Sequence, residues 1–88
     1  MPNWTVEVSS RCERAPITGT EYSNYTQFTN SIRQGHHPRT SSEMNGHMGY
    51  ENLGGDLFSV RLSGGGRLYF RVDDSNSIVT IEQIGGHR

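Results

Sequence analysis

The stretch that decides the fold is DLFSVRLSGGGRLYFRVDDSNSIVTIEQI, residues 56–84. In its first run, Phe58, Val60 and Leu62 alternate with Leu57, Ser59, Arg61 and Ser63. In its second, Leu68, Phe70 and Val72 alternate with Arg67, Tyr69 and Arg71. Successive side chains of a strand point to opposite faces, so a period of two predicts strands buried on one side only. The glycines at 64–66 supply the positive φ angles of a tight turn between the two runs. The polar run DDSNS, residues 73–77, predicts a second turn, and IVTIEQI, Ile78 to Ile84, a third strand. Three strands joined by short turns make an antiparallel meander. Its apolar face must pack on something, and its other face gathers Arg61, Arg67, Tyr69 and Arg71.

Upstream, NWTVEV (Asn3 to Val8) also alternates, with Trp4, Val6 and Val8 on one side and Thr5 and Glu7 on the other. It predicts a half-buried strand. SSRCERAPITGTE, residues 9–21, contains Pro16 and Gly19 and reads as a loop. In SNYTQFTNSIRQG, residues 23–35, Tyr25, Phe28 and Ile32 recur at spacings of three and four. This predicts a short helix capped by Ser23 or Asn24 and closed by Gly35. Residues 36–55, rich in glycine and holding Pro38, read as mostly loop with one helical turn near Ser42 to Met44. The expected fold is α+β. A small antiparallel sheet, the N-terminal strand plus the meander, packs against one or two short helices in a single domain spanning residues 1–88.

Composition narrows the function classes. The net charge is −1, charged residues make up 19% of the chain, and hydrophobic residues 31%. Charge-driven disorder is excluded on these figures, and a small domain of modest stability is expected. No apolar run approaches membrane-spanning length. The N-terminus has no basic stretch followed by an apolar core, so no signal peptide is expected. The lone Cys12 permits no internal disulfide and fits a reducing, cytoplasmic compartment. On that reading the Asn-x-Thr sequons at Asn3 and Asn24 are chance matches. All eight basic side chains are arginine. Guanidinium binds phosphate in a bidentate way, but near-neutral overall charge means that any nucleic-acid site is a local patch.

The order LGGDLFSVRL, GGGRLYFRV, DDSNS and IEQIGGHR, within Leu53 to Arg88, resembles the RelE/ParE superfamily of bacterial toxin–antitoxin toxins. Members have a segment ending in Gly-Asp/Pro-Leu and an aromatic residue opening a strand with basic positions. An arginine-led strand follows, then an acidic turn and a last strand ending in an Ile-Gly-x-Arg or Ile-Gly-x-His pattern. The family usually places two helices between its first strand and the meander, whereas one is legible here. The resemblance implies a small metal-independent ribonuclease with a concave sheet face, acting on RNA or on the ribosome and held by a cognate antitoxin-like inhibitor. Arg61 would take the place of a basic residue on the second strand, Arg67 that of the arginine opening the third, and His87 that of the C-terminal basic or histidine residue.

The chemistry follows from residue types. Cleaving RNA through its own 2′-hydroxyl needs a base, a cation at the phosphorane and an acid for the leaving 5′-oxygen. The ordinary histidine pKa, about 6.5, suits His87 to the acid role. Arg67 and Arg61 suit the phosphate. On the arginine face Glu82 would be either the base or a salt-bridge partner of Arg61 or Arg71, and a bulge decides which face it takes. Arg71, Tyr69 and Arg88 would meet the nucleic acid, Tyr69 by stacking on a base if it is not half buried. His36, His37 and His47 lie in loops, and one of them is a candidate second acid–base group. They lack the convergent three- or four-ligand spacing of a metal site, so neither metal nor cofactor is expected. The alternative is a non-catalytic interaction module on the same fold, binding a protein through its arginine-bearing face.

Overall fold

The computed structural model describes residues 4–14, 17–46, 48–63 and 66–85, without the side chains of residues 13 and 14. Its elements run β1 (Thr5–Arg14), α1 (Gly19–Arg33), α2 (Pro38–Met44), β2 (Glu51–Gly54), β3 (Leu57–Arg61), β4 (Arg67–Asp73) and β5 (Ile78–Ile84). The strands form one α+β sheet in the order β1-β5-β4-β3-β2. The chain leaves β1 at one edge, crosses by the two helices to the opposite edge, and returns through the meander to lie beside β1. The meander pairs are antiparallel, with Phe58 opposite Phe70 and Phe70 opposite Ile81. The sheet is nevertheless mixed, because β1 runs parallel to β5. Two helices between them supply the long connection that a parallel pair requires.

The helices cover the apolar face. Phe28 and Ile32 of α1 meet Val60, Leu62, Leu68, Phe70, Val72, Val79, Ile81 and Ile84, with Trp4 and Met48 closing the core. Aromatic rings run through it, Phe28 to Phe70 at 5.4 Å and Tyr50 stacked on Phe58 at 4.9 Å. Ile84 reaches this face through a bulge. Tyr69 pairs with Gln83 but Phe70 with Ile81, so Glu82 is the extra residue on β5. The extra residue shifts the alternation, turning Gln83 toward Tyr69 and Ile84 inward.

The structure corrects four local expectations. α1 starts at Gly19 rather than Ser23, and Thr18 is its cap instead of Ser23 or Asn24. Thr18 and Glu21 form a reciprocal capping box, the Thr-x-x-Glu signature. Gly35 does follow the helix, at φ 106°. Residues 38–44 form a full second helix instead of one turn near Ser42 to Met44, with Pro38 in the first turn, where its missing N–H costs nothing. β1 runs on to Arg14, because Glu13 and Arg14 pair with Gln83 and Ile84. Val8 pairs with Ile81 in the same register as Val6, before the register shift, yet is 44% exposed. Finally, the 36–55 loop contains β2, an exposed edge strand that exists through its pairing with β3.

Candidate functional site

The cross-strand register arranges the face opposite the helices in rows. At one end Arg61 lies directly opposite Arg67. Like charges directly opposite destabilise a strand pair, so the arrangement favours an anion between them. Arg67 has one acidic neighbour, Glu51, at 3.6 Å. Arg61 is exposed and has no acidic partner among the described residues. The two arginines thus retain most of their positive potential.

This end of the sheet is anchored to α1. Asn24 donates to the Leu62 carbonyl at 2.7 Å. The Glu21 carboxylate accepts from Thr18 N–H and from the Ser63 hydroxyl, each at 2.9 Å. The Thr18 bond first and the Ser63 bond second hold this carboxyl below its ordinary pKa. Ser63 Oγ also accepts from Gly66 N–H. A side chain at Gly66 would collide with the Glu21 carboxylate, which is why the turn closes on glycine here. The hairpin end carrying the arginine pair is therefore preorganised, a precondition for tight electrostatic work.

The middle row is Ser59, Tyr69 and Gln83, paired in that order across three strands. All three are buried, Tyr69 to 4% exposure, so its ring offers no open face for a base. The Ser59 hydroxyl oxygen is buried with no hydrogen-bond partner among the described residues. At the far end Arg71 donates to Asp56 at 2.6 Å and to Glu82 at 3.3 Å. The Asp56 bond foremost, then Glu82, raises the guanidinium pKa further. Arg71 is balanced by two carboxylates and offers little net charge to a ligand. Glu82 does share the arginine face, because it continues the outward alternation of Thr80; the bulge re-aims only Gln83 and Ile84. Glu82 is the counter-ion of Arg71 through Oε1, while Oε2 has no partner among the described residues.

β5 ends against Arg67, where the Gly85 N–H donates to the Arg67 carbonyl at 2.7 Å. Gly85 thus lies at the arginine end of the sheet. His87 and Arg88 lie outside the described residues, as does His47. His37 is on the helix side of the sheet. Its Nδ1 accepts from Arg39 N–H at 3.1 Å, its Nε2 meets Asp74 at 2.8 Å, and Trp4 packs edge-on against its ring. With Nδ1 accepting, the neutral ring carries its proton on Nε2 and donates it to Asp74. Both nitrogens are committed to capping α2 and tying it to the β4–β5 turn. No group of three His, Cys, Asp or Glu able to hold a metal occurs among the described residues. No described helix is long and apolar enough to cross a membrane.

Sequence reasoning missed Glu51, Asp56 and Glu21. Glu51 was hidden in the stretch read as loop, and Asp56 opened the meander stretch without being weighed as a partner of Arg71. Glu21 was signalled by the Thr-x-x-Glu spacing from Thr18.

No protein-family model matches the chain, and no curated protein does. Among solved structures, a chain of the toxin–antitoxin complex RelBE2 from Mycobacterium tuberculosis is similar, with a TM-score of 0.45 and 17% identity over 97% of this chain and 99% of that one.

Proposed function

We propose that this domain is a toxin-like, metal-independent endoribonuclease of the cytoplasm, restrained by an antitoxin-like inhibitor protein. One observation carries the reading: two arginines, directly opposed on neighbouring strands, sit where the C-terminal tail leaves β5. Their forks would hold the non-bridging oxygens of one RNA phosphate and meet the charge that builds on the phosphorane. The 2′-hydroxyl gives up its proton and attacks phosphorus, the bond to the 5′-oxygen breaks, and that oxygen takes a proton. A 2′,3′-cyclic phosphate and a 5′-hydroxyl result. His87, two residues beyond Gly85, is the proposed acid. Glu82 is the proposed base, through the carboxylate oxygen that Arg71 does not occupy, acting on a 2′-hydroxyl that reaches across the Tyr69 row from the arginine pair. Arg88 would steer the strand rather than react, whereas Arg71, spent on Asp56 and Glu82, would hold the Glu82 carboxylate in place.

The test is cleavage of total RNA by the purified protein, with and without ribosomes. Wild type should leave 2′,3′-cyclic ends. His87→Gln should lower the rate by about 10²–10⁴-fold with little change in RNA affinity. Arg67→Lys should also be damaging, since it keeps the charge but loses the fork. Full activity in His87→Gln would remove the histidine from the mechanism.

The second reading, a non-catalytic module binding a protein partner, is favoured by Glu51, Asp56 and Glu82 on or beside the arginine face. They make it a mixed-charge surface rather than a basic groove. Wild-type protein that cleaves nothing under either condition would select it.

A further inference from the structure

A recess of about 280 Å³, open to solvent, lies between α2 and the segment entering β2, lined by Arg39, Ser42, Glu43, Gly49 and Tyr50. Arg39 and Glu43 are one helical turn apart, a spacing at which opposite charges pair. Here they form no ion pair. The Arg39 guanidinium instead lies 5.6 Å from the Tyr50 ring centroid, and that ring is stacked on Phe58. The cation–π contact positions the fork without using its N–H donors. The Glu43 carboxylate likewise accepts no hydrogen bond from a described residue. Burial pushes the Tyr50 phenol up to about 12, so it stays neutral and adds no second negative charge beside Glu43. The recess therefore offers one fork of donors and one pair of acceptor oxygens, both unspent among the described residues, against a fixed aromatic wall.

We propose that this recess reads a guanine base of the RNA whose phosphate lies between Arg61 and Arg67, an inference that rests on the RNA reading above. A guanidinium only donates and a carboxylate only accepts. Guanine presents two adjacent acceptors, O6 and N7, and on another edge two adjacent donors, N1–H and the N2 amino group. Arginine on O6 and N7 is the commonest specific base contact. Adenine presents an amino donor where guanine has O6, and an acceptor where guanine has N1–H, so it meets both side chains with the wrong polarity. Cytosine offers the carboxylate its amino group alone, and uracil a single N–H between two acceptors. The recess also adjoins the phosphate end of the sheet. Gly49 lines it, and a Cβ added to Gly49 would touch Arg61 Cγ, Cδ and Nε, each at 3.7 Å. One nucleotide could thus engage both.

The test is fluorescence anisotropy with short end-labelled oligouridines carrying one central guanosine, adenosine, cytidine or no substitution. Wild type should bind the guanosine oligomer about tenfold more tightly than the others, the discrimination of one good bidentate contact. Glu43→Gln, at an exposed position that packing does not constrain, should bring that ratio close to one; the ratio is the readout because removing a negative charge tightens all RNA binding together. Arg61→Ala should weaken every oligomer by the same factor and preserve the ratio. Equal binding of all four oligomers by wild type would overturn the guanine site and leave the RNA reading standing. A guanosine preference that survives Glu43→Gln would also overturn it. Binding of none would remove both readings.

Discussion

The salt dependence of RNA binding is set by how many arginines are uncompensated. The open face carries Arg61, Arg67 and Arg71, which suggests three neutralised phosphates if only the sequence is counted. The structure reduces this to two. Arg71 is held by Asp56 and Glu82, so its charge is already spent. Arg67 shares only a loose pair with the exposed Glu51, and Arg61 has no acidic partner among the described residues. Each phosphate neutralised on a single strand contributes about −0.7 to the slope of log affinity against log salt, so the pair should give about −1.4. Between 50 and 200 mM salt, affinity should then fall roughly sevenfold. The assay is anisotropy of a labelled single-stranded RNA across that range, on wild type, Arg61→Ala and Arg71→Ala. Arg61→Ala should halve the slope to about −0.7, and Arg71→Ala should leave it near −1.4. A slope near zero would show that the arginines do not meet phosphate. A flattening by Arg71→Ala as large as that by Arg61→Ala would refute the compensation argument.

Three further outcomes follow from the packing. Phe70→Ala, at a fully buried position ringed by Phe28, Tyr50 and Phe58, should cost about 3–5 kcal/mol in urea unfolding, close to the whole stability of a domain this small; a cost under about 1.5 kcal/mol would contradict its place at the centre of the core. Thr18→Ala removes half of a capping box at an exposed site and should lower stability by about 1 kcal/mol, whereas Ser23→Ala, inside the helix, should cost much less, as urea midpoints will show. Glu21 and Asp73 have folded pKa values below their ordinary ones, Glu21 through Thr18 and Ser63 and Asp73 through Asn76. Their contribution is therefore complete above the ordinary carboxylate pKa and is lost as pH falls through the lower folded values. Unfolding midpoints should drop below about pH 4, and the drop should be smaller in Glu21→Gln.

The alternating runs from Asp56 to Ile84 determined the meander and the buried face of its first two strands by themselves, because strand periodicity is a local property and each apolar set has one side to go to. Phe58, Val60, Leu62, Leu68, Phe70 and Val72 lie on the core side for that reason, and Arg61, Arg67, Tyr69 and Arg71 on the other. The α1 cap was equally local and was overlooked. Long-range pairing decided the rest. The polar tail of β1 becomes a strand only beside β5, and β2 only beside β3, since neither has an apolar pattern of its own. The bulge at Glu82 is invisible to periodicity, yet it turns Gln83 toward Tyr69 and Ile84 into the core. The electrostatic content of the face was likewise a tertiary matter. Counting arginines on a strand gives their side of the sheet, but only the folded chain brings Asp56 and Glu82 to Arg71 and leaves Arg61 and Arg67 facing each other. Charge compensation depends on distances of a few ångströms between residues far apart in sequence, and that is what folding supplies.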